Sequence, residues 1–171
     1  MTLEQEKIRI LGIDPGYGRV GWGVIEGRGN TWKHVAHGCI DTNPKRSHIE
    51  RYMDIARALK RIIEQFSPTR GAVEQLFFAK NVKTALSVAE ARGVILLTLS
   101  LAGLDIDEFT PLQVKQSLTG YGKAEKGQVQ RLVQMQLGLS VLPKQDDAAD
   151  ALAVALTAGF SAWQISFKRD R

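Results

Sequence analysis

Apolar residues change their spacing several times along the chain, and each change marks a predicted element. Residues 8–13 are a short apolar run broken only by Arg9 and Gly12, the pattern of a buried strand. Residues 21–25 give a second strand that ends in a turn at 27–30, and residues 32–40 a third. The connections are too short for parallel crossovers, which need a dozen or more residues, so the three strands are expected to form an antiparallel meander. From 47 to 66 the period lengthens. Ile49, Met53, Ala56, Leu59, Ile63 and Phe66 recur every three or four residues, with Arg51, Arg57, Lys60, Arg61 and Glu64 among them, which predicts an amphipathic helix stopped by Ser67-Pro68-Thr69.

A fourth strand is predicted over 72–78 and a second helix over 84–101, the latter apolar around much of its circumference. Such a helix needs burial on two sides, within the core or against another subunit. A fifth strand follows at 104–109, a helix opens at 111–118, and two more are expected at 128–137 and 147–160. The order βββαβαβααα predicts an α/β fold, with a five-stranded mixed sheet, three antiparallel strands and then parallel ones, flanked by helices on both faces. At 171 residues one domain is expected, with its core over about 8–160 and a flexible tail at 161–171.

Composition narrows the chemistry modestly. The formal charge of +5 suits a polyanionic partner without requiring one. Cys39 is the single cysteine, so neither an internal disulfide nor a thiol-based zinc site is available, and a reducing cytoplasm fits. The polar, acidic start of the chain lacks the layout of a secretory signal, and charged residues bracket the long apolar stretch short of a membrane span.

Four acidic residues stand out, each with a plain structural alternative. Asp14 ends the first strand, where open α/β sheets place their sites, yet Asp14-Pro15-Gly16 is also a good turn. Glu74 lies in a strand, where an ionised side chain is costly unless a cation meets it, either a metal or an arginine such as Arg70 or Arg92. Asp147 and Asp150 stand three apart in the first turn of an Ala-rich helix, where helix capping is the stronger explanation of each taken singly unless Asp146 is the cap. As a set they can converge, and an all-carboxylate group selects Mg²⁺ or Mn²⁺ over zinc. His34, His37 and His48 have no metal-ligand spacing.

Two glycine motifs mislead. Gly16-Tyr17-Gly18-Arg19-Val20-Gly21 matches a dinucleotide fingerprint, but strand rather than helix is expected after it. Gly120-Tyr121-Gly122-Lys123 lacks both the glycine spacing and the Ser or Thr of a phosphate loop.

Taken together, 12–16, 73–81, 91–93, 114–116, 124–129 and 147–153 resemble, in order and spacing, the RuvC family of bacterial Holliday junction resolvases, which has a ribonuclease H-like fold. The resemblance implies that Asp14, Glu74, Asp147 and Asp150 bind two divalent ions, Mg²⁺ or Mn²⁺. These would hydrolyse a DNA phosphodiester to a 5′-phosphate and a 3′-hydroxyl. It implies that Lys115 and Lys126 meet phosphate or developing charge, that Phe77 stacks on bases at the branch point, and that Lys80 and Asn81 touch the backbone. Alternation puts Phe77 and Phe78 on opposite faces, and the sequence does not choose which of them reaches the DNA. A twofold-symmetric junction suits a homodimer, for which the helix over 84–101 is the predicted interface. The same kinship implies RuvA and RuvB as partners. A non-catalytic junction-binding protein of the same fold is the alternative.

Overall fold

The computed structural model of the chain describes residues 7–75 and 82–169. Strands β1 (Ile8–Asp14), β2 (Arg19–Arg28) and β3 (Thr31–Asp41) precede helix α1 (His48–Phe66). Then come β4 (Arg70–Glu74), α2 (Val82–Leu101), β5 (Asp105–Phe109), α3 (Pro111–Thr119), α4 (Lys126–Leu137) and α5 (Asp146–Arg169). The five strands form one sheet in the order β3-β2-β1-β4-β5. β1 pairs antiparallel with β2, and β2 with β3, whereas β1–β4 and β4–β5 are parallel. This is the mixed sheet that the element order predicts.

Period-two alternation along β1 assigns its two faces. Leu11 and Ile13 join Val20, Val24 and Val73 under α1 and α2, while Ile10 joins Ile25 and Ala72 under α3, α4 and α5. Each fully buried Ile or Leu contributes about 1.5–3 kcal/mol of transfer free energy, so both layers are anchored by several such side chains. Asp14 continues the face of Ile10 and Gly12, and Glu74 that of Ala72. Both acids therefore leave the sheet on the side that α5 covers.

α5 lies unusually close to that face because the sheet lacks side chains beneath it. A Cβ on Gly12 would sit 2.1 Å from the carbonyl oxygen of Ala151, and one on Gly21 would sit 2.0 Å from that of Asp147. Gly12 faces Gly23 and Asp14 faces Gly21 across the β1–β2 ladder, so the bare strip ends at Asp14. Small residues on the helix complete the fit, with Ala148, Ala151 and Ala155 all fully buried.

Three expectations are corrected. The buried side of α1 is Arg51, Ile55, Leu59 and Ile62, while Ile49 and Met53 are exposed, so the stripe is rotated from the predicted one. β4 ends at Glu74 rather than running on, and the N–H of Gln75 donates to the carbonyl of Phe109; residues 76–78 lie outside the described residues. The helix predicted over 147–160 runs on past Phe160, as α5, to Arg169. No Gly or Pro follows Gly159 to break it.

α2 is long and apolar enough, by length and composition, to cross a membrane. Here its inner face is core, with Ala91, Ile95 and Leu99 fully buried beside α1 and the sheet, while Leu86, Leu97 and Leu101 are exposed.

Candidate active site

The four acids predicted from the sequence come together at one end of the sheet. Asp14 is the last residue of β1 and Glu74 the last of β4. These neighbouring parallel strands run in register through Ile13 and Val73, so the two acids emerge side by side. Their side chains are hydrogen-bonded to each other. Asp147 and Asp150 reach the same place from the first turn of α5, which Gly21 admits onto the sheet.

The electrostatics show how crowded this charge is. Burial, then the charges of Glu74, Asp150 and Asp147, push the Asp14 carboxyl up to about 8. Burial and Asp150 push Glu74 up to about 7, against the hydrogen bond from Asp14 and the charges of Lys126 and Lys115. Asp150 is raised too, burial outweighing its bond to Lys126. Burial and mutual repulsion thus hold both carboxyls well above the ordinary carboxylate range, the usual result when two carboxyls share one desolvated site.

Cations stand around the acids. Lys126 Nζ bonds Asp150 Oδ2 at 3.0 Å and Asp146 Oδ2 at 3.2 Å. Burial alone would lower its pKa, but the bonds and charges of Asp150 and Asp146 outweigh it and the net shift is upward. Lys115, on α3, is close enough to Glu74 to stabilise its charged form. Arg19, at the start of β2, holds Asp41 at 2.6 Å and approaches Asp147 at 3.9 Å.

The structural alternatives for Glu74 and the helix acids now lose ground. Arg70 pairs with Asp107 at 2.7 Å and Arg92 pairs with Glu108, leaving Glu74 only a bond from Arg92 to its backbone carbonyl. At the start of α5 the carbonyl of Gln145 accepts from the N–H groups of Ala148 and Ala149, and Asp146 turns to Lys126 and Gln130. The glycines from Gly16 to Gly21 lead into β2, not a helix, and Gly120 is the left-handed C-cap of α3. Phe77, Lys80 and Asn81 lie outside the described residues.

Sequence reasoning missed Arg19, hidden inside the misleading glycine motif, and the bonds of Asp146. The signal for Arg19 was its place five residues after Asp14 at the mouth of the next strand. His34 and His37 hydrogen-bond each other at 2.7 Å on β3, apart from the acids.

A mixed sheet in this order, with carboxylates at the ends of β1 and β4 and on the helix that closes over them, defines a nuclease of the ribonuclease H-like class. A model of the crossover junction endodeoxyribonuclease RuvC family matches residues 10–158, and the chain belongs to that family. The RuvC protein of Thermosipho melanesiensis is 52% identical over 148 residues, covering 86% of this chain and 94% of that one. The Petrotoga mobilis RuvC protein is 51% identical over 150 residues, covering 88% and 92%. A solved structure of Thermus thermophilus RuvC in complex with a Holliday junction substrate has a TM-score of 0.88 at 34% identity, covering 93% of this chain and 97% of that one.

Proposed function

We propose that this chain resolves Holliday junctions in the cytoplasm during recombination and repair, acting as a single nuclease domain that depends on divalent metal at Asp14, Glu74, Asp147 and Asp150. The observation that carries the metal reading is the convergence of four acids at one end of the sheet, where burial and then mutual repulsion hold Asp14 and Glu74 above the usual carboxylate range. Among the described residues, no three His, Cys, Asp or Glu side chains are gathered closely enough to ligate one ion as they stand. Asp150 is turned to Lys126 and Asp147 toward Arg19, so both must release a cation to join Asp14 and Glu74. The donor set is all oxygen, which fits Mg²⁺ or Mn²⁺.

Asp14 and Glu74 would hold metal from the sheet, and Asp147 and Asp150 from α5. Two bound ions would supply a water of lowered pKa and stabilise the leaving oxygen, giving a 5′-phosphate and a 3′-hydroxyl. Lys126, freed from Asp150, and Lys115 beside Glu74 would hold the phosphates flanking the cut. In the sequence assignment, Phe77 stacks at the branch point, and Lys80 and Asn81 hold the backbone.

Two cuts on opposed strands call for two sites. The exposed Leu86, Leu97 and Leu101 of α2 support a homodimer through Thr84–Leu101. Family kinship adds RuvA and RuvB as partners.

The test is incubation of a synthetic four-way junction and a matched linear duplex with and without Mg²⁺. Paired symmetric nicks in the junction alone, and only with metal, are expected. Equal cutting of both substrates would overturn the resolvase reading. Junction binding without cutting in any divalent metal would leave a non-catalytic binding protein.

A further inference from the structure

Arg51 is the least exposed charged residue among the described residues, at 8% exposure. Its partners are neutral rather than carboxylates. Its Nε donates to Thr42 Oγ1 at 2.9 Å and its Nη2 to the carbonyl of Tyr17 at 3.4 Å, and its guanidinium stacks on the Tyr17 ring at 3.6 Å. Thr42, itself 7% exposed, passes the bond on: its hydroxyl donates to the same Tyr17 carbonyl at 2.8 Å, and its N–H donates to the carbonyl of Gly18 at 3.0 Å.

Burying a guanidinium against neutral acceptors is costly unless it fixes something that matters, because no Coulomb attraction offsets the lost hydration. What it grips is the backbone of Tyr17 and Gly18, in the loop between Asp14 and Arg19. That loop turns tightly: a Cβ on Gly16 would lie 2.0 Å from the carbonyl oxygen of Arg19. One end of the loop therefore sets Asp14, and the other sets Arg19, which approaches Asp147 at 3.9 Å and holds Asp41 at 2.6 Å.

The geometry points to Arg51 as a positioning residue, clamping the 15–18 loop from α1 through Thr42 and Tyr17 so that Asp14 and Arg19 stay aligned with Asp147. Its contacts are with Thr42 and Tyr17 rather than with the four acids, and it acts through the backbone between them. The cation–π stack and the forked donors both need a planar guanidinium, so lysine reproduces the charge but not the grip. This inference rests on the reading of the carboxylates as a metal site.

The experiment compares wild type with Arg51→Gln, Arg51→Lys, Thr42→Ala and Asp14→Asn. For each we would measure junction affinity in EDTA, the rise in Tm produced by Mg²⁺, and the Mg²⁺ concentration that half-saturates cleavage. For Arg51→Gln, unchanged junction affinity, a smaller Mg²⁺-induced Tm rise and a half-saturating Mg²⁺ raised about 10- to 100-fold are expected, in the range of lost supporting contacts to metal ligands. Arg51→Lys should fall between it and wild type, and Thr42→Ala should shift the same way by less. A lowered Tm with an unaltered response to Mg²⁺ would overturn the inference and leave Arg51 merely structural. If Arg51→Gln does not fold, Thr42→Ala decides by the same two outcomes. Undiminished cleavage by Asp14→Asn would instead overturn the metal site itself, whatever the Arg51 variants do.

Discussion

Gly21 and Asp147 meet backbone to backbone, with only the space of a missing Cβ between the strand and the carbonyl oxygen of the helix. Gly21 is also the residue across the ladder from Asp14. One glycine thus sets how close the acids of α5 come to the acid of β1. Gly21→Ala should push the first turn of α5 outward, costing about 1–3 kcal/mol by overpacking and lowering cleavage. Gly127→Ala on α4, where nothing lies within 4 Å of the added carbon, should be close to neutral. Urea unfolding of the two variants checks the contrast.

The raised carboxyls give stability a characteristic pH slope. Asp14 and Glu74 bind protons more tightly folded, to about 8 and about 7, than at their ordinary 3.8 and 4.5. The folded state therefore carries the extra protons between those limits, and stability from these groups is lost as pH rises from about 4 through 8. His34 and His37, lowered chiefly by burial, act the other way, losing stability as pH falls through the ordinary histidine range. Metal-free Tm measured from pH 5 to 8.5 should show the carboxyl slope in wild type and a shallower one in Asp14→Asn. Saturating Mg²⁺ should flatten it, because ligation favours the deprotonated acids.

Lys126 is held by Asp150 and Asp146. As a phosphate contact, its loss should weaken junction binding regardless of sequence. In Lys126→Gln the slope of log affinity against log salt should fall by about one. An unaltered salt slope would remove Lys126 from the DNA interface.

The exposed leucines of α2 give the dimer a direct check. Leu97 is 60% exposed and Leu101 80%. A Leu97→Lys, Leu101→Lys double variant should sediment as a monomer and nick junctions without pairing the two cuts.

Much of this arrangement was legible because periodicity reports which neighbours a residue meets along its own element. The run from Ile8 to Asp14 showed both a buried strand and an acid at its end, and the long-period stretch before Phe66 showed a helix. What stayed hidden was set by partners far away in the chain. Arg51 looked like one more polar position on α1; its burial depends on Tyr17 and Thr42, and it rotates the stripe so that Ile49 and Met53 face out. Glu74 could have been an ordinary ion pair until β5 supplied Asp107 and Glu108 to take up Arg70 and Arg92. For Asp147 and Asp150 helix capping was the stronger reading, and only the fold shows them beside Asp14.

The central claim is that one cluster of acids, not the basic surface, performs the cut. Asp14→Asn tests it most directly, because it keeps the shape of the side chain and removes its charge. The variant should bind a four-way junction in metal-free buffer as wild type does, and should show no cleavage in Mg²⁺ or Mn²⁺, because the amide cannot ionise to hold a cation. Cleavage at the wild-type rate would contradict the claim.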